Sequence, residues 1–217
     1  MNMRIGNMSG FCVGEPWNAR AINDRIGFTA ATSQDIWPEH PEKILGTRSE
    51  WVERHPNTAR ALVAALIEAQ RWIDASAENT RETARLLARR AWLNTKEQYL
   101  SGRMLGEYDN GIGRRWQDAH PMRFYERGEV SFPWLSDGMW FLTQFRRWGL
   151  LKSAPDYLAV AQRINRIDVW KEAAQAVGGI SAPTQAMRSS TLIDGKVWNG
   201  ADPEGYARSF AIQRKGA

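Results

Sequence analysis

Residues 10–18, GFCVGEPWN, read as a short apolar strand running straight into a helix. Gly14 breaks the apolar run, and Pro16 presets the backbone for the first turn of a helix over residues 16–25. A strand this apolar is a buried one, with neighbours on both sides. The chain offers few. GFTAAT (27–32) is a second strand candidate after the Gly27 stop, SQDIWPEHP (33–41) is a loop cut by two prolines, and EKILGTR (42–48) is a third extended piece. Strand, helix and strand in quick succession are the α/β pattern. Three strands make a poor sheet to cover on both faces, so the block reads as part of a larger α/β fold.

Beyond residue 48 the pattern is helical. Thr47 and Glu50 have capping-box spacing ahead of a short helix that stops near HPN (55–57). Asn57 is expected to cap a long helix to about residue 75, with Leu62, Leu66 and Ile73 on its apolar stripe beside Val63, Ile67 and Ala69. Further helices are expected over 79–91 and, behind a Thr95–Gln98 capping box, near 95–105. Residues 106–133 are loop-like, rich in glycine, proline and charge. Helices resume over 137–151, in PDYLAVAQRI and in DVWKEAAQAVG, and SSTLIDGKVWNG ends the pattern as a small extended piece around an Asp-Gly turn.

Composition narrows the function classes. The net charge is +5, and 23 of the 29 basic residues are arginine, spread along the chain beside acids as in NTRETARLLARR. A nucleic-acid binder more often carries a basic run or stripe with interleaved aromatics, so direct nucleic-acid binding is not expected. Eleven tryptophans point first to packed seams. The single cysteine, Cys12, excludes an internal disulfide and reads as a small buried residue. No run of about 18 apolar residues exists to span a membrane. MNMRIGNMSGF lacks the apolar centre of a signal peptide, so the chain as written is expected in the cytoplasm. No nucleophile–base pair or convergent acid pair stands out, so no enzyme is expected. His40, His55 and His120 are too dispersed for a metal site, GIG (111–113) lacks the Lys-Ser/Thr of a phosphate loop, and no cofactor is expected.

Four stretches carry a family resemblance: GFCVGEPWNARAINDRIGFTA, IWPEHPEKILGTRSEW, DGMWFLTQFRRWGL and STLIDGKVW. They resemble the solute-binding proteins of bacterial ABC nitrate importers, and equally the related cytoplasmic nitrate/nitrite sensors that restrain an RNA-binding antiterminator. The resemblance runs from residue 4 to about 212. It implies an α/β chain that is the C-terminal half of a type II periplasmic-binding-protein fold, with few strands followed by a helix-rich segment. Residues 1–41 would end the second lobe, and 42–217 would return to the first lobe and add the C-terminal helices. The missing half would hold the tryptophan and glutamine that the family contributes to the anion site. Three functional readings stay open: nitrate or nitrite binding for an ABC permease, with a periplasmic full-length parent; a sensor with an antiterminator protein as partner; and an inactive fragment.

Nitrate is a planar monoanion that needs a compensating positive charge, several donors and preferably a flat ring face. The family pattern maps two contacts here, the backbone at Gly14 and the ammonium of Lys43. Gly14 permits close approach to the main chain at a helix start, though turn geometry alone could also require it. In bicarbonate-binding relatives an acid with a metal ion stands where Lys43 does, so the lysine argues for nitrate or nitrite without metal. Glu15, Trp17 and His40 are weaker ligand candidates. Capping by Glu15, sheet packing by Trp17 and loop shaping by His40 are the competing roles.

Overall fold

The computed structural model describes residues 3–212. It divides into two compact units, Met1–Thr32 with Ala69–Glu126 and Ser33–Glu68 with Arg127–Ala217.

The first unit contains α1 (Trp17–Asn23) and, after the long helix α4 (Pro56–Asp74) enters it from the second unit's part of the chain, α5 (Ala77–Ala88), α6 (Gln98–Met104) and the hairpin β1 (Glu107–Asp109) and β2 (Arg115–Gln117). Ser76 starts α5 by accepting the Asn79 N–H at 3.1 Å. The buried centre is Ala84, Leu100 and Met104, with Ile73, Leu87, Ala88, Leu93 and Phe124 packed around it. Asp74, the last residue of α4, accepts the Phe124 and Tyr125 backbone N–H groups at 2.7–3.1 Å. A carboxylate is poorly placed at a helix C-terminus. Three close hydrogen-bond contacts from those two donors offset the mismatch. In the hairpin, Tyr108 pairs with Trp116 and their rings stack at 5.2 Å. Asn110 Oδ1 shapes the turn by accepting from the N–H of Ile112 and of Arg114. At Gly111, with φ +82°, a Cβ would lie 3.2 Å from the Gly27 carbonyl oxygen, so glycine suits both the conformation and the approach.

The second unit contains α2 (Ser33–Ile36), α3 (Ser49–Arg54), the start of α4, α7 (Leu135–Arg147), α8 (Tyr157–Ile164), α9 (Ile167–Val177), the two-residue strands β3 (Ser190–Thr191) and β4 (Val197–Trp198), and α10 (Pro203–Arg208). Its core is Leu135, Met139, Tyr157, Ala161, Trp198 and Tyr206. Asp156 and Asp202 cap α8 and α10 through the Ala159 and Gly205 N–H groups. Ser136, fully buried, accepts the Arg188 N–H, while its carbonyl accepts from Trp198 Nε1 at 2.8 Å. Arg188 also holds Asp137 with two hydrogen bonds of 2.9 and 2.7 Å. At Gly128, with φ +95°, an added Cβ would meet Ile180 at 3.0 Å and the Trp170 ring at 3.3 Å.

The fold is helix-rich with few strands, as the resemblance implies; β3 and β4 pair within SSTLIDGKVWNG, where an extended piece is expected, but the three expected N-terminal strands do not form. Residues 10–13, 27–32 and 42–48 form none. Among the described residues, the backbone of Phe11, Cys12 and Val13 makes no hydrogen bond to other backbone. Phe28, Ile44 and Leu45 are exposed, and so is Cys12, against the expectation of a buried thiol. Without a neighbouring strand an apolar run has neither a ladder nor a covered face. In α4 the helix starts at Pro56, and burial falls on Ala59 and Ile67 while Leu62 and Leu66 stay exposed. The capping boxes at Thr47 and Thr95 do not form, since α3 and α6 start after Arg48 and Glu97 with no side-chain cap. Where residues 106–133 read as loop, β1 and β2 pair.

Candidate functional site

Gly14, Glu15 and Trp17 share the junction into α1 in the first unit, while His40 and Lys43 lie on one loop of the second. Gly14 is half-buried and precedes Pro16, a fully buried residue that stands as the N-cap of α1. Asn18 Nδ2 donates to the Val13 carbonyl at 2.6 Å and so anchors the approach to Gly14. Trp17 opens the helix and is exposed rather than packed on a sheet.

Glu15 does cap its helix: Oε2 accepts the Ala19 N–H at 3.0 Å. Its Oε1 lies 3.2 Å from Arg103 Nε. Burial pushes the Glu15 carboxyl above the usual carboxylate range, against the opposing pull of the Ala19 N–H and of Arg103. Arg103 is a residue the sequence pattern did not single out. Its side chain is 7% exposed. Nη2 donates to the Asp109 carbonyl at 3.2 Å, the guanidinium carbon lies 4.3 Å from the centre of the Tyr108 ring, and buried Nη1 has no hydrogen-bond partner. The available signal was its place between Leu100 and Met104 on the inward face of α6, where a cation needs a specific partner.

His40 is half-buried, with Nδ1 2.9 Å from the Pro41 carbonyl. A carbonyl only accepts, so Nδ1 carries the proton and Nε2 of the neutral ring is an acceptor. That arrangement shapes the loop; the ring would donate to an anion through Nε2 only when protonated. Trp37, buried beneath the same loop, packs on Trp140 with ring centres 4.5 Å apart. Lys43 is exposed, and its Nζ lies 2.8 and 2.9 Å from the two oxygens of Glu42. An exposed pair of this kind contributes about 0–1 kcal/mol, so the ammonium exchanges readily onto another anion. Among the described residues no group of three His, Cys, Asp or Glu side chains could hold a metal ion, and no helix is long and apolar enough to cross a membrane.

Residues 1–88 match the NMT1-like family. Over 217 residues the chain is 37% identical to the nitrate/nitrite binding protein NrtA of Nostoc sp. PCC 7120, covering 98% of this chain and 49% of that protein. Its backbone superposes on the crystal structure of the periplasmic nitrate-binding protein NrtA from Synechocystis PCC 6803 with a TM-score of 0.91 at 36% identity, covering 97% of this chain and 56% of that one. The chain is homologous to the nitrate-binding proteins. It spans about half the length of these relatives. The homology extends to the bicarbonate-binding protein CmpA of Synechococcus elongatus PCC 7942, 37% identical over 224 residues, covering 98% of this chain and 50% of that protein. The fold is therefore a partial type II periplasmic-binding-protein fold, and the relatives are named as binding proteins rather than enzymes. Overall identity does not separate the two anions, since it is the same toward NrtA and CmpA.

Proposed function

We propose that this chain is part of the solute-binding component of an ABC-type nitrate uptake system. It binds nitrate or nitrite in the periplasm for delivery to a permease, without chemical conversion. In this reading residues 1–41 end the second lobe, and residues 42–217 return to the first lobe and add the C-terminal helices. The likeness to a nitrate-binding protein of solved structure, along nearly the whole chain, carries the reading. Lys43 supports nitrate or nitrite over bicarbonate in this reading. It brings a full positive charge without a metal, which suits a weakly basic monoanion, and its partner Glu42 is an exposed one that a ligand can displace. The Gly14 backbone is the second proposed contact. Glu15 is a poorer one, because its carboxylate repels an anion and is already engaged by Ala19 and Arg103.

Calorimetric titration of nitrate, nitrite and bicarbonate tests the proposal, using this chain fused to the half of the Synechocystis protein that it does not match. Nitrate or nitrite binding that survives chelation of divalent cations is the expected result. Binding of bicarbonate alone, dependent on a divalent cation, overturns it.

A further inference from the structure

Glu15 stands next to Gly14 in the chain, about 3.8 Å away from Cα to Cα. An anion on the Gly14 backbone therefore has a carboxylate as its neighbour, well inside the screening length of about 8–10 Å, and like charges that close repel. The first unit answers this acid with Arg103. Arg103 Nε lies 3.2 Å from Glu15 Oε1, and its side chain is 7% exposed, so little water screens the pair. The other carboxylate oxygen, Oε2, accepts the Ala19 N–H at 3.0 Å and so ties the group to the first turn of α1.

The guanidinium is fixed from two further sides, by the Tyr108 ring centre at 4.3 Å and by the Asp109 carbonyl, which accepts from Nη2 at 3.2 Å. The Asp109 carboxylate is answered separately, by Arg115 Nε at 2.7 Å, so the charge of Arg103 is left to Glu15. Buried Nη1 has no hydrogen-bond partner, so the guanidinium holds more positive character than this one acid uses. Given the proposed contact at Gly14, on which this rests, we infer that Arg103 is a positioning residue for the anion. It neutralises Glu15 and holds that carboxylate on α1, so an anion at Gly14 meets no net negative charge. Arg103 acts through Glu15 rather than by touching the ligand.

The test titrates nitrate by calorimetry into the fused protein at about pH 8, where glutamate carboxyls are ordinarily ionised, and compares the two halves of the pair. Arg103→Met, which leaves the carboxylate unbalanced, is expected to lower nitrate affinity by about tenfold or more. Glu15→Gln, which can still accept the Ala19 N–H, is expected to raise it by about threefold or more, because the cation then has no acid to balance. The double variant Arg103→Met/Glu15→Gln returns to within about threefold of the parent. A pair that served only to hold the fold would lose affinity when either partner is removed, so opposite signs are the decisive reading. Losses from both single variants, or an Arg103→Met protein that binds like its parent, overturn the inference. If circular dichroism shows that Arg103→Met does not fold, Glu15→Gln decides alone: a rise in affinity supports the inference, and an unchanged or lower affinity overturns it. A parent fusion that binds neither nitrate nor nitrite overturns the transport proposal and this inference together, whereas a parent that binds and variants without opposite signs overturn this inference alone.

Discussion

Glu15 Oε1 lies 3.2 Å from Arg103 Nε, joining the chain two residues before α1 to the inward face of α6 within the first unit. The arginine is 7% and the glutamate 27% exposed, so the cation is the more deeply committed partner. Removing the acid leaves a buried guanidinium with one hydrogen bond to the Asp109 carbonyl and an aromatic face.

Glu15→Ala is therefore expected to cost about 2–3 kcal/mol of stability, less than the ~3–5 kcal/mol for breaking a fully buried pair, because the glutamate keeps some solvent. Arg103→Met, which removes the charge and keeps much of the volume, is expected to cost less. Urea unfolding followed by tryptophan fluorescence compares the two. Equal losses would mean that the pair's charges are not what holds the junction.

The same carboxyl sets a pH dependence. Its folded-state pKa is raised, so the folded chain holds a proton that the unfolded chain releases at lower pH. The stabilisation from that proton is complete below the ordinary carboxylate pKa and is lost as pH rises through the raised one. Glu15→Gln should flatten this part of the stability profile from about pH 4.5 upward, the ordinary glutamate value. Urea midpoints at half-unit pH steps check it, and an unchanged slope in the variant would remove Glu15 as the source.

Gly128→Ala meets two obstacles at once, a left-handed backbone and a Cβ placed 3.0 Å from Ile180 and 3.3 Å from Trp170. A loss of about 1–3 kcal/mol is expected, which lowers the melting temperature by roughly 2–12 °C for a chain of this size. Differential scanning calorimetry reads the shift. An unchanged melting temperature would mean that the loop relaxes freely around the methyl group.

Lys43→Glu should abolish nitrate binding in the fused full-length protein, a loss of at least a hundredfold in affinity, because a compensating charge becomes a repelling one. Circular dichroism should not change, since the lysine is exposed and its partner Glu42 is its chain neighbour. The isolated chain is expected to bind weakly or not at all, and sub-micromolar binding by calorimetry would refute that.

What the sequence made legible was mostly local. Asp194 and Gly195 mark the β3–β4 turn, and the structure pairs Ser190 with Trp198 and Thr191 with Val197 across it. The helix expected in PDYLAVAQRI forms as α8. Such features depend on a few adjacent residues, so composition reveals them. Phe11–Val13 fails for the opposite reason: strand character in a sequence reports a preference, and its fulfilment needs a partner from elsewhere. Arg103 was hidden because burial of a charge is decided by residues distant in sequence, here Glu15 and Asp109. The family resemblance found the candidate positions Gly14 and Lys43, which spacing by itself does not distinguish from turn and surface residues.

Asp74 fastens the end of α4 to Phe124 and Tyr125, fifty residues further along. Departure and return thus lie side by side, and the stretch between them packs around a centre of its own at Ala84, Leu100 and Met104, with a second tie through Arg103 to Glu15. The Phe124 and Tyr125 amides should exchange with solvent only when the clasp opens, and their exchange would time the release of α5, α6 and the β1–β2 hairpin as one piece.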